Sequence, residues 1–205
     1  MGGSPRAGQG RVLTALQPEG EMALPAEAAP QISATEPDWS RERPRRFWDP
    51  SRKLIRSLRR YQATRARGGP INRLLSRYWV LVHRFWTVVA QAEIPLNVDI
   101  GGGLIMTHPN GVVIHPKARI GPNCLIMQQV TVGQNRGGYQ NLPVIGGNVD
   151  IGPGAKVLGG ITIGNHAQIG ANAVVLQDVP PWAVAVGIPA RIIGDRRPAD
   201  PGAAP

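Results

Sequence analysis

A branched aliphatic residue returns every six positions between Ile94 and Ile193, and a glycine often follows it. The residues in this first set are Ile94, Ile100, Met106, Ile114, Ile120, Ile126, Val132, Ile145, Ile151, Val157, Ile163, Ile169 and Val175. A second set of small or apolar residues stands four positions after most of them: Val98, Leu104, Ala118, Cys124, Val130, Val149, Ala155, Ile161, Ala167, Ala173 and Val179. Hexapeptide periodicity of this kind predicts a parallel β-helix.

Three six-residue units close one triangular coil, so residues about 18 apart should stack one rung up, roughly 4.8 Å away. Both residue sets are then predicted to fill the interior of the prism. The spacing is broken twice, between 106 and 114 and between 132 and 145. We expect chemistry at these breaks, because they push the chain out of the coil. The periodicity leaves handedness open, although crossovers between parallel strands are normally right-handed.

The formal net charge of +10 is concentrated in one part of the chain. Residues 41–67 hold eleven Arg or Lys against two acidic residues, Glu42 and Asp49. In residues 93–195 the acidic and basic side chains cancel. The basicity therefore belongs to an N-terminal appendage, and a neutral β-helix gives no reason to predict nucleic-acid binding.

The chain divides into four predicted parts. Residues 1–46 are rich in Ala, Pro, Gly and Glu without apolar periodicity, which predicts a disordered tail. Residues 47–92 form a basic amphipathic helical segment, residues 93–195 the β-helix, and residues 196–205 a flexible tail. The N-terminus lacks the pattern of a secretory signal, so we expect a cytoplasmic protein. The one cysteine, Cys124, excludes an intramolecular disulfide and should be a buried thiol.

Two helices are predicted within the basic segment. Asp49 is the expected N-cap of the first, with Pro50 at its first position, and Gly68-Gly69-Pro70 separates it from the second. Charged residues interrupt the second helix, which makes it a poor membrane span. Two interpretations stay open: a hairpin packed against the β-helix or between subunits, or peripheral contact of residues 49–90 with an anionic membrane.

Four motifs carry a resemblance to a known family. They are His108-Pro109-Asn110-Gly111-Val112-Val113-Ile114, Gln129-Val130-Thr131-Val132-Gly133, Ile151-Gly152-Pro153-Gly154-Ala155-Lys156-Val157-Leu158-Gly159 and Gly187-Ile188-Pro189-Ala190-Arg191. In this order, over about the last hundred residues, the chain resembles the serine acetyltransferases. The resemblance implies a left-handed parallel β-helix, a homotrimer or dimer of trimers, and acetyl-CoA as co-substrate in a groove between subunits. It also implies acetyl transfer to the hydroxyl of a small molecule.

The residues at these positions suit that chemistry. Transfer to an alcohol needs a base for the hydroxyl proton, and His108 stands in the first break of the repeat. Glu93 precedes it by nearly one full coil and is predicted to stack beside His108 and accept its Nδ1 proton, where the family has Asp. Gly133 is the candidate backbone donor to the oxyanion. For the cofactor the resemblance points to Gly152, Pro153, Gly170 and Ala171, with Arg191 as a candidate for a CoA phosphate.

Two substrate positions depart from the family pattern. Thr107 replaces an acidic residue that helps to hold the amino acid, and Leu142 replaces a histidine that contacts the substrate. Both polar groups that would read the ammonium and carboxylate of serine are therefore missing. The chain also lacks the C-terminal isoleucine of the family, so we expect no docking on a sulfhydrylase partner.

These departures leave several functions to weigh. The first is serine O-acetyltransferase, feeding cysteine synthesis, which the order of the motifs favours. The second keeps the reaction but takes a sugar or polysaccharide precursor as acceptor. A zinc-dependent β-helix hydratase would need three converging imidazoles, which four scattered histidines do not supply, so we predict no metal. A non-catalytic scaffold is disfavoured because His108 stands in its expected break.

Overall fold

The structure, a computed structural model, describes residues 32–135 and 142–198. A short 3-10 helix, η1 (Trp39–Glu42), precedes the helices α1 (Pro50–Arg67) and α2 (Gly69–Ala90). The strands that follow are β1 (Asp99–Ile100), β2 (Ile105–Met106), β3 (Val113–Ile114), β4 (Arg119–Ile120), β5 (Leu125–Ile126), β6 (Thr131–Gly133), β7 (Val144–Ile145), β8 (Asp150–Ile151), β9 (Lys156–Leu158), β10 (Thr162–Ile163), β11 (Gln168–Ile169), β12 (Val174–Val175), β13 (Ala183–Val186) and β14 (Arg191–Asp195).

Every third strand pairs in parallel, so the strands form three faces of a prism. The first face has the order β1-β4-β7-β10, and the third has β3-β6-β9-β12. The second face has the order β2-β5-β8-β11-β13-β14, in which only β13 and β14 are antiparallel among the described strands. The parallel β-helix predicted from the six-residue period is confirmed.

The interior of the prism holds both predicted residue sets. Every residue of the two sets is buried. Residues of the first set stack along the axis, as Ile126 does between Met106 and Ile151, and small residues of the second set such as Ala118 and Ala155 are fully buried. Burying one such aliphatic side chain is worth about 1.5–3 kcal/mol, so this stack is the main source of stability in the β-helix.

The two breaks in the repeat leave the stacking undisturbed. Ile114 pairs with Val132 at the regular spacing of three repeat units, as an unbroken coil requires. Ile100 pairs with Ile120, two positions beyond the regular spacing, because the first break lengthens that coil. Ile120 pairs with Ile145, seven positions beyond it, because the second break lengthens the next one. The aliphatic side chains above and below each break therefore stay in register.

Helix α1 has the predicted boundaries. The Asp49 side chain accepts a hydrogen bond from the Arg52 amide as the N-cap, Pro50 is the first helical residue, and Gly68 ends the helix at φ 64°. Leu54, Ile55 and Leu58 join the same apolar cluster as the first coils of the β-helix. Of the two interpretations for the helical segment, the hairpin packed against the β-helix describes the inner side of α1.

Residues 32–46 are bound to the first coils, whereas the sequence alone placed all of residues 1–46 in a disordered tail. The buried Asn123 side chain donates to the carbonyl oxygens of Ser33 and Glu36, and its Oδ1 accepts from the Asp38 amide at 2.8 Å. Further along, the carboxylate of Glu42 is buried against Arg59 of α1. Residues 1–31 and 199–205, which complete the predicted tails, lie outside the described residues.

Cys124 is fully buried in the prism, as predicted, and burial raises the pKa of its thiol to about 12. Because only the thiolate is nucleophilic, we expect the folded protein to react with a disulfide reagent about a thousandfold more slowly than an exposed cysteine. When the chain is unfolded in guanidinium, the same reagent should label one thiol per chain at the rate of an exposed cysteine. Equal labelling rates for folded and unfolded protein would contradict this prediction.

The structure also shows how helices α1 and α2 compare with membrane-spanning helices. In the described part of the chain, neither helix is long and apolar enough to cross a bilayer. Helix α2 packs one side on α1, where Ser76, His83 and Ala90 are buried. The opposite side of α2 is exposed and apolar.

Candidate active site

The candidate residues gather where the second face of the prism turns into the third. His108 lies in the turn after β2, Gly152 and Pro153 lie in the turn after β8, and Gly170 and Ala171 follow β11. Because β2, β5, β8 and β11 are successive rungs of one sheet, these turns stack along one edge, which we call the His108 edge. With rungs about 4.8 Å apart, the turn of His108 is about 10 Å from that of Gly152 and about 14 Å from that of Gly170.

His108 opens onto a cavity of about 410 Å³ between the prism and the helical segment. The β-helix contributes residues 107–110, the end of α2 contributes residues 89–91, and the segment leading into α1 contributes residues 45–46 and 48–52. His108 is exposed. Within residues 32–135 and 142–198 its imidazole makes no hydrogen bond, so both ring nitrogens are available to a ligand.

The loop that carries His108 is held by backbone contacts. The Gly111 amide donates to the carbonyl oxygen of Gln91 at 2.7 Å, and the Gln129 amide one rung up donates to that of Asn110 at 2.9 Å. Gly111 has φ 72°, and an added Cβ would stand 3.1 Å from the Gln129 side chain. Glycine is therefore required here, since any other residue would be strained in this conformation and crowded. These bonds hold the part of the loop that directly follows His108.

The cavity has an excess of positive charge that sequence reasoning did not place there. Its charged lining side chains are Arg45, Arg46, Arg52 and Asp49. The Asp49 carboxylate already accepts from the amides of Arg45 and Arg52 and lies 3.5 Å from the Arg52 guanidinium. In the described residues the guanidinium groups of Arg45 and Arg46 have no carboxylate partner. The sequence shows the excess of basic residues over 41–67. Only the fold shows that Arg45, Arg46 and Arg52 line the same cavity as His108.

Glu93 lies at the start of the third face, just beyond the turn that carries His108. It forms a parallel bridge with Val113, five residues after His108, and the amide of Ile114 donates to its carbonyl oxygen. The first break makes this coil two residues longer than a regular one, so Glu93 pairs with Val113 rather than with Gly111. The side chain of Glu93 is exposed near the His108 edge, and within the described residues it makes no hydrogen bond with His108.

Of the remaining predicted catalytic and substrate-binding residues, only Thr107 lies beside His108 in the described part of one chain. Thr107 is exposed and lines the cavity beside His108. Gly133 ends β6 on the third face, and its carbonyl oxygen accepts from the Gly159 amide. Because His108 precedes that face and Gly133 ends it, one chain does not bring the two together. Leu142 is half-buried just before β7, where the described chain resumes after residue 135.

A second groove, of about 240 Å³, lies further along the His108 edge. Gly152, Pro153, Gly170 and Ala171, which the resemblance assigns to backbone contacts with the cofactor, all line it. Met127 and Gln168 line it as well. Asp150 also lines the groove and is paired with Arg196 at 2.6 Å. Arg191 does not line it. The Arg191 guanidinium is exposed and donates to the carbonyl oxygen of Ala190.

The resemblance assigns acetyl-CoA to the residues of this groove, so filling the groove tests that assignment. Ala171 is exposed at its rim, and leucine there would occupy space that an extended CoA arm needs. For Ala171→Leu we expect the KM for acetyl-CoA to rise about tenfold with kcat nearly unchanged, as for a loss of uniform binding. Steady-state kinetics with varied acetyl-CoA measure this. Ala66→Leu, an identical change on exposed α1 surface, is the matched control, and equal KM values for the two variants would refute the assignment.

The other histidines have structural contacts. Burial lowers the pKa of His83, whose Nε2 donates to the carbonyl oxygen of Ile94 and whose Nδ1 lies 2.9 Å from Ser57 Oγ. His166 stacks on Trp182 with ring centroids 3.9 Å apart. His115 Nδ1 accepts from the Lys117 amide. Across the two described ranges, no three metal-ligating side chains come together.

Comparison with known proteins agrees with this architecture. A family model described as bacterial transferase hexapeptide (six repeats) matches residues 143–177. A serine acetyltransferase of Mycobacterium tuberculosis is 40% identical over 131 residues, which cover 63% of this chain and 56% of that protein. The resemblance is confirmed: this chain is a relative of the serine acetyltransferases. It spans about half the length of the curated relatives it matches.

Solved serine acetyltransferase structures share the fold. A soybean serine acetyltransferase complexed with serine has a TM-score of 0.60 at 34% identity, covering 70% of this chain and 57% of that one. A serine acetyltransferase of Brucella abortus in complex with coenzyme A has a TM-score of 0.61 at 28% identity, covering 71% and 56%. These neighbours belong to the left-handed β-helix family, so the predicted fold class is confirmed, with its helical segment before the strands.

Proposed function

We propose that this protein is an acetyl-CoA-dependent serine O-acetyltransferase with His108 as the general base. The observation that carries the proposal is the His108 edge, on which an exposed imidazole and the predicted cofactor groove lie along one line of stacked turns. The relatives are serine acetyltransferases, and one neighbour was solved with coenzyme A and another with serine.

The proposed step needs one base and one oxyanion donor. His108 removes the proton of the acceptor hydroxyl as that oxygen attacks the thioester carbonyl carbon, and the carbon–sulfur bond then breaks. The imidazolium returns the proton to the departing thiolate, so free CoA and an acetyl ester result. The Gly133 amide is the proposed donor to the oxyanion, and Glu93 is the proposed partner that orients the imidazole.

Completion of this site is proposed to need a second copy of the chain. The His108 cavity is open, and Gly133 and Leu142 stand away from it in a single chain. A neighbouring copy seated against the His108 edge would close the cavity and could supply these groups. A homotrimer, alone or as a dimer of trimers, fits this requirement, and a cytoplasmic location fits the metabolic role.

A second acceptor class has a specific observation in its favour. Thr107 stands where the family has an acidic residue, and Arg45 and Arg46 line the cavity without a carboxylate partner in the described chain. Serine carries an ammonium as well as a carboxylate, and an unpaired ammonium in a cationic site is costly. A sugar or polysaccharide precursor bearing phosphate or carboxylate would suit these guanidinium groups.

One assay separates the two acceptors. Release of free CoA thiol from acetyl-CoA should be measured with L-serine, homoserine and a panel of sugar nucleotides. We expect release well above the rate without acceptor when L-serine is present. Turnover with a sugar nucleotide and none with serine would replace the first acceptor by the second, and no release with any of them would refute acetyl transfer.

A further inference from the structure

Helix α2 presents an exposed apolar stripe along its whole length. The stripe consists of Ile71, Leu74, Tyr78, Leu81, Phe85 and Val88, each of which is more than half exposed. Their spacing of three and four residues places them on one side of the helix, opposite the side that packs on α1. Surface helices normally turn such a stripe toward a core, so six large exposed residues in a row indicate a partner.

The charge around the stripe is entirely positive. Arg73, Arg77 and Arg84 are exposed and follow the stripe at helical spacing, so they line one of its borders. Helices α1 and α2 together carry ten basic residues, seven on α1 and three on α2, and no acidic residue. An apolar helical face bordered by arginines is the pattern of helices that lie in the plane of an anionic membrane.

Aromatic side chains extend the stripe at the C-terminal end of α2. Phe47 and Trp48 are 89% and 59% exposed, and the Trp48 ring stands 5.6 Å from that of Trp86. The Lys53 ammonium lies 4.6 Å from the centre of the Phe47 ring. Aromatic rings with a cationic neighbour are favoured at the boundary between headgroups and acyl chains.

A second copy of the chain fits the stripe less well. The stripe follows a heptad pattern, so two α2 helices could in principle pair as a coiled coil. The flanking positions of that seam hold Arg77 and Arg84 on one side and apolar residues on the other. Since α2 has no acidic residue, neither arginine would find an opposite charge on the other copy, and the two cationic hairpins would repel each other.

We propose that the stripe of α2, with Phe47 and Trp48, docks this protein on an anionic lipid surface. Apolar side chains enter the headgroup region, and the bordering arginines pair with lipid phosphates. Because Trp48 and Val89 also line the His108 cavity, docking holds that cavity close to the membrane. The inference stands independently of acetyl transfer, since it uses no catalytic residue.

The test is co-sedimentation of the full chain with phosphatidylcholine vesicles, prepared with and without phosphatidylglycerol, at low and high salt. We expect pelleting with the anionic vesicles, weak pelleting with phosphatidylcholine alone, and partial release at high salt. The double variant Leu81→Ser/Phe85→Ser should lower the partition coefficient at least about tenfold. Both side chains are exposed, so thermal unfolding should match that of the original protein.

Matched control variants test whether vesicle binding depends on the α2 stripe and its arginines. Ile192→Ser/Ile193→Ser removes two equally exposed apolar residues from β14 and should leave vesicle binding unchanged. Arg77→Gln/Arg84→Gln should weaken binding to anionic vesicles severalfold at low salt. The same change in Lys117 and Arg119, exposed on the β-helix, should have less effect.

Two outcomes would overturn the proposal. The first is absence of pelleting with anionic vesicles, or equal pelleting by the Leu81→Ser/Phe85→Ser variant. The second is a lower mass for that variant in sedimentation velocity without lipid, which would make the stripe a contact between copies of this chain. Measuring CoA release on the same samples separates failure of docking from failure of the proposed activity.

Discussion

Replacing His108 with alanine is expected to lower kcat for acetyl transfer by about 10²–10⁴-fold, the contribution of a positioned general base. The change should leave folding intact, because the His108 side chain is exposed and makes no hydrogen bond within the described residues. The KM for acetyl-CoA should stay close to its original value, since the predicted cofactor groove lies two to three rungs away along the same edge. CoA release at saturating acetyl-CoA and acceptor measures the effect.

His115→Gln is the matched control for this experiment. His115 stands seven residues further on and is half-buried, and among the described residues its imidazole hydrogen-bonds only to the Lys117 amide, through Nδ1. Its loss should change kcat by less than about threefold. If His108→Ala retained the original turnover, the general-base role would be wrong, and if both variants lost activity together, a structural effect on the first break would explain the result.

Replacing Glu42 with alanine is expected to have the largest effect on stability. The Glu42 carboxylate is 7% exposed and accepts two hydrogen bonds from the Arg59 guanidinium, at 2.8 and 3.1 Å. It also accepts from the backbone amides of Gly103 and Leu104 in the first coil. Removal of one partner of a buried ion pair typically costs about 3–5 kcal/mol. Here it would take the counter-charge from Arg59 and the acceptor from the amides of Gly103 and Leu104.

Loss of Glu42 should also weaken the attachment of α1 to the β-helix. The Arg59 guanidinium also donates to the carbonyl oxygens of Ile100 and Gly101, so it joins α1 to the β-helix. For a chain of this length the loss corresponds to a fall in Tm of about 6–20 °C. Thermal and urea unfolding followed by circular dichroism, at one protein concentration, measures it.

Asp99→Ala is the control for Glu42→Ala. Asp99 pairs with Arg119 at 4.0 Å, and both side chains are more than 70% exposed. Such a surface pair contributes about 0–1 kcal/mol. A loss for Glu42→Ala no greater than that for Asp99→Ala would show that the carboxylate does not fasten residues 32–46 to the prism.

The repeat could be interpreted from sequence because its information is local. Between the two breaks, the buried aliphatic positions of the prism follow from counting six residues along the chain; Val112, which is buried inside the first break, does not. The N-cap at Asp49 and the stop at Gly68 are equally local, since each depends on the conformation of a few neighbouring residues. The association of residues 32–46 with the β-helix was missed because its partners, Asn123, Gly103 and Leu104, are 61 to 90 residues away.

Part of the candidate site could be predicted from the sequence, and part depends on the fold. The break in the period identified His108 as a residue that leaves the coil. The stacking of Glu93 beside it stays a prediction, and what the structure adds is that the same break lengthens this coil by two residues, so that Glu93 pairs with Val113 rather than with Gly111. Arg45 and Arg46 belong to the cavity only because α1 folds back on the first coils.

By itself the sequence determined the β-helix, its core, the two loops and the position of His108, because a six-residue period repeats one local geometry along the chain. The tertiary structure decided which turns share the His108 edge, how residues 32–46 are fastened and that a whole side of α2 stays exposed. Those features arise where elements distant in sequence meet, and a linear pattern does not record such meetings. The positive charge of the His108 cavity and the exposed apolar stripe of α2 both come from that second level.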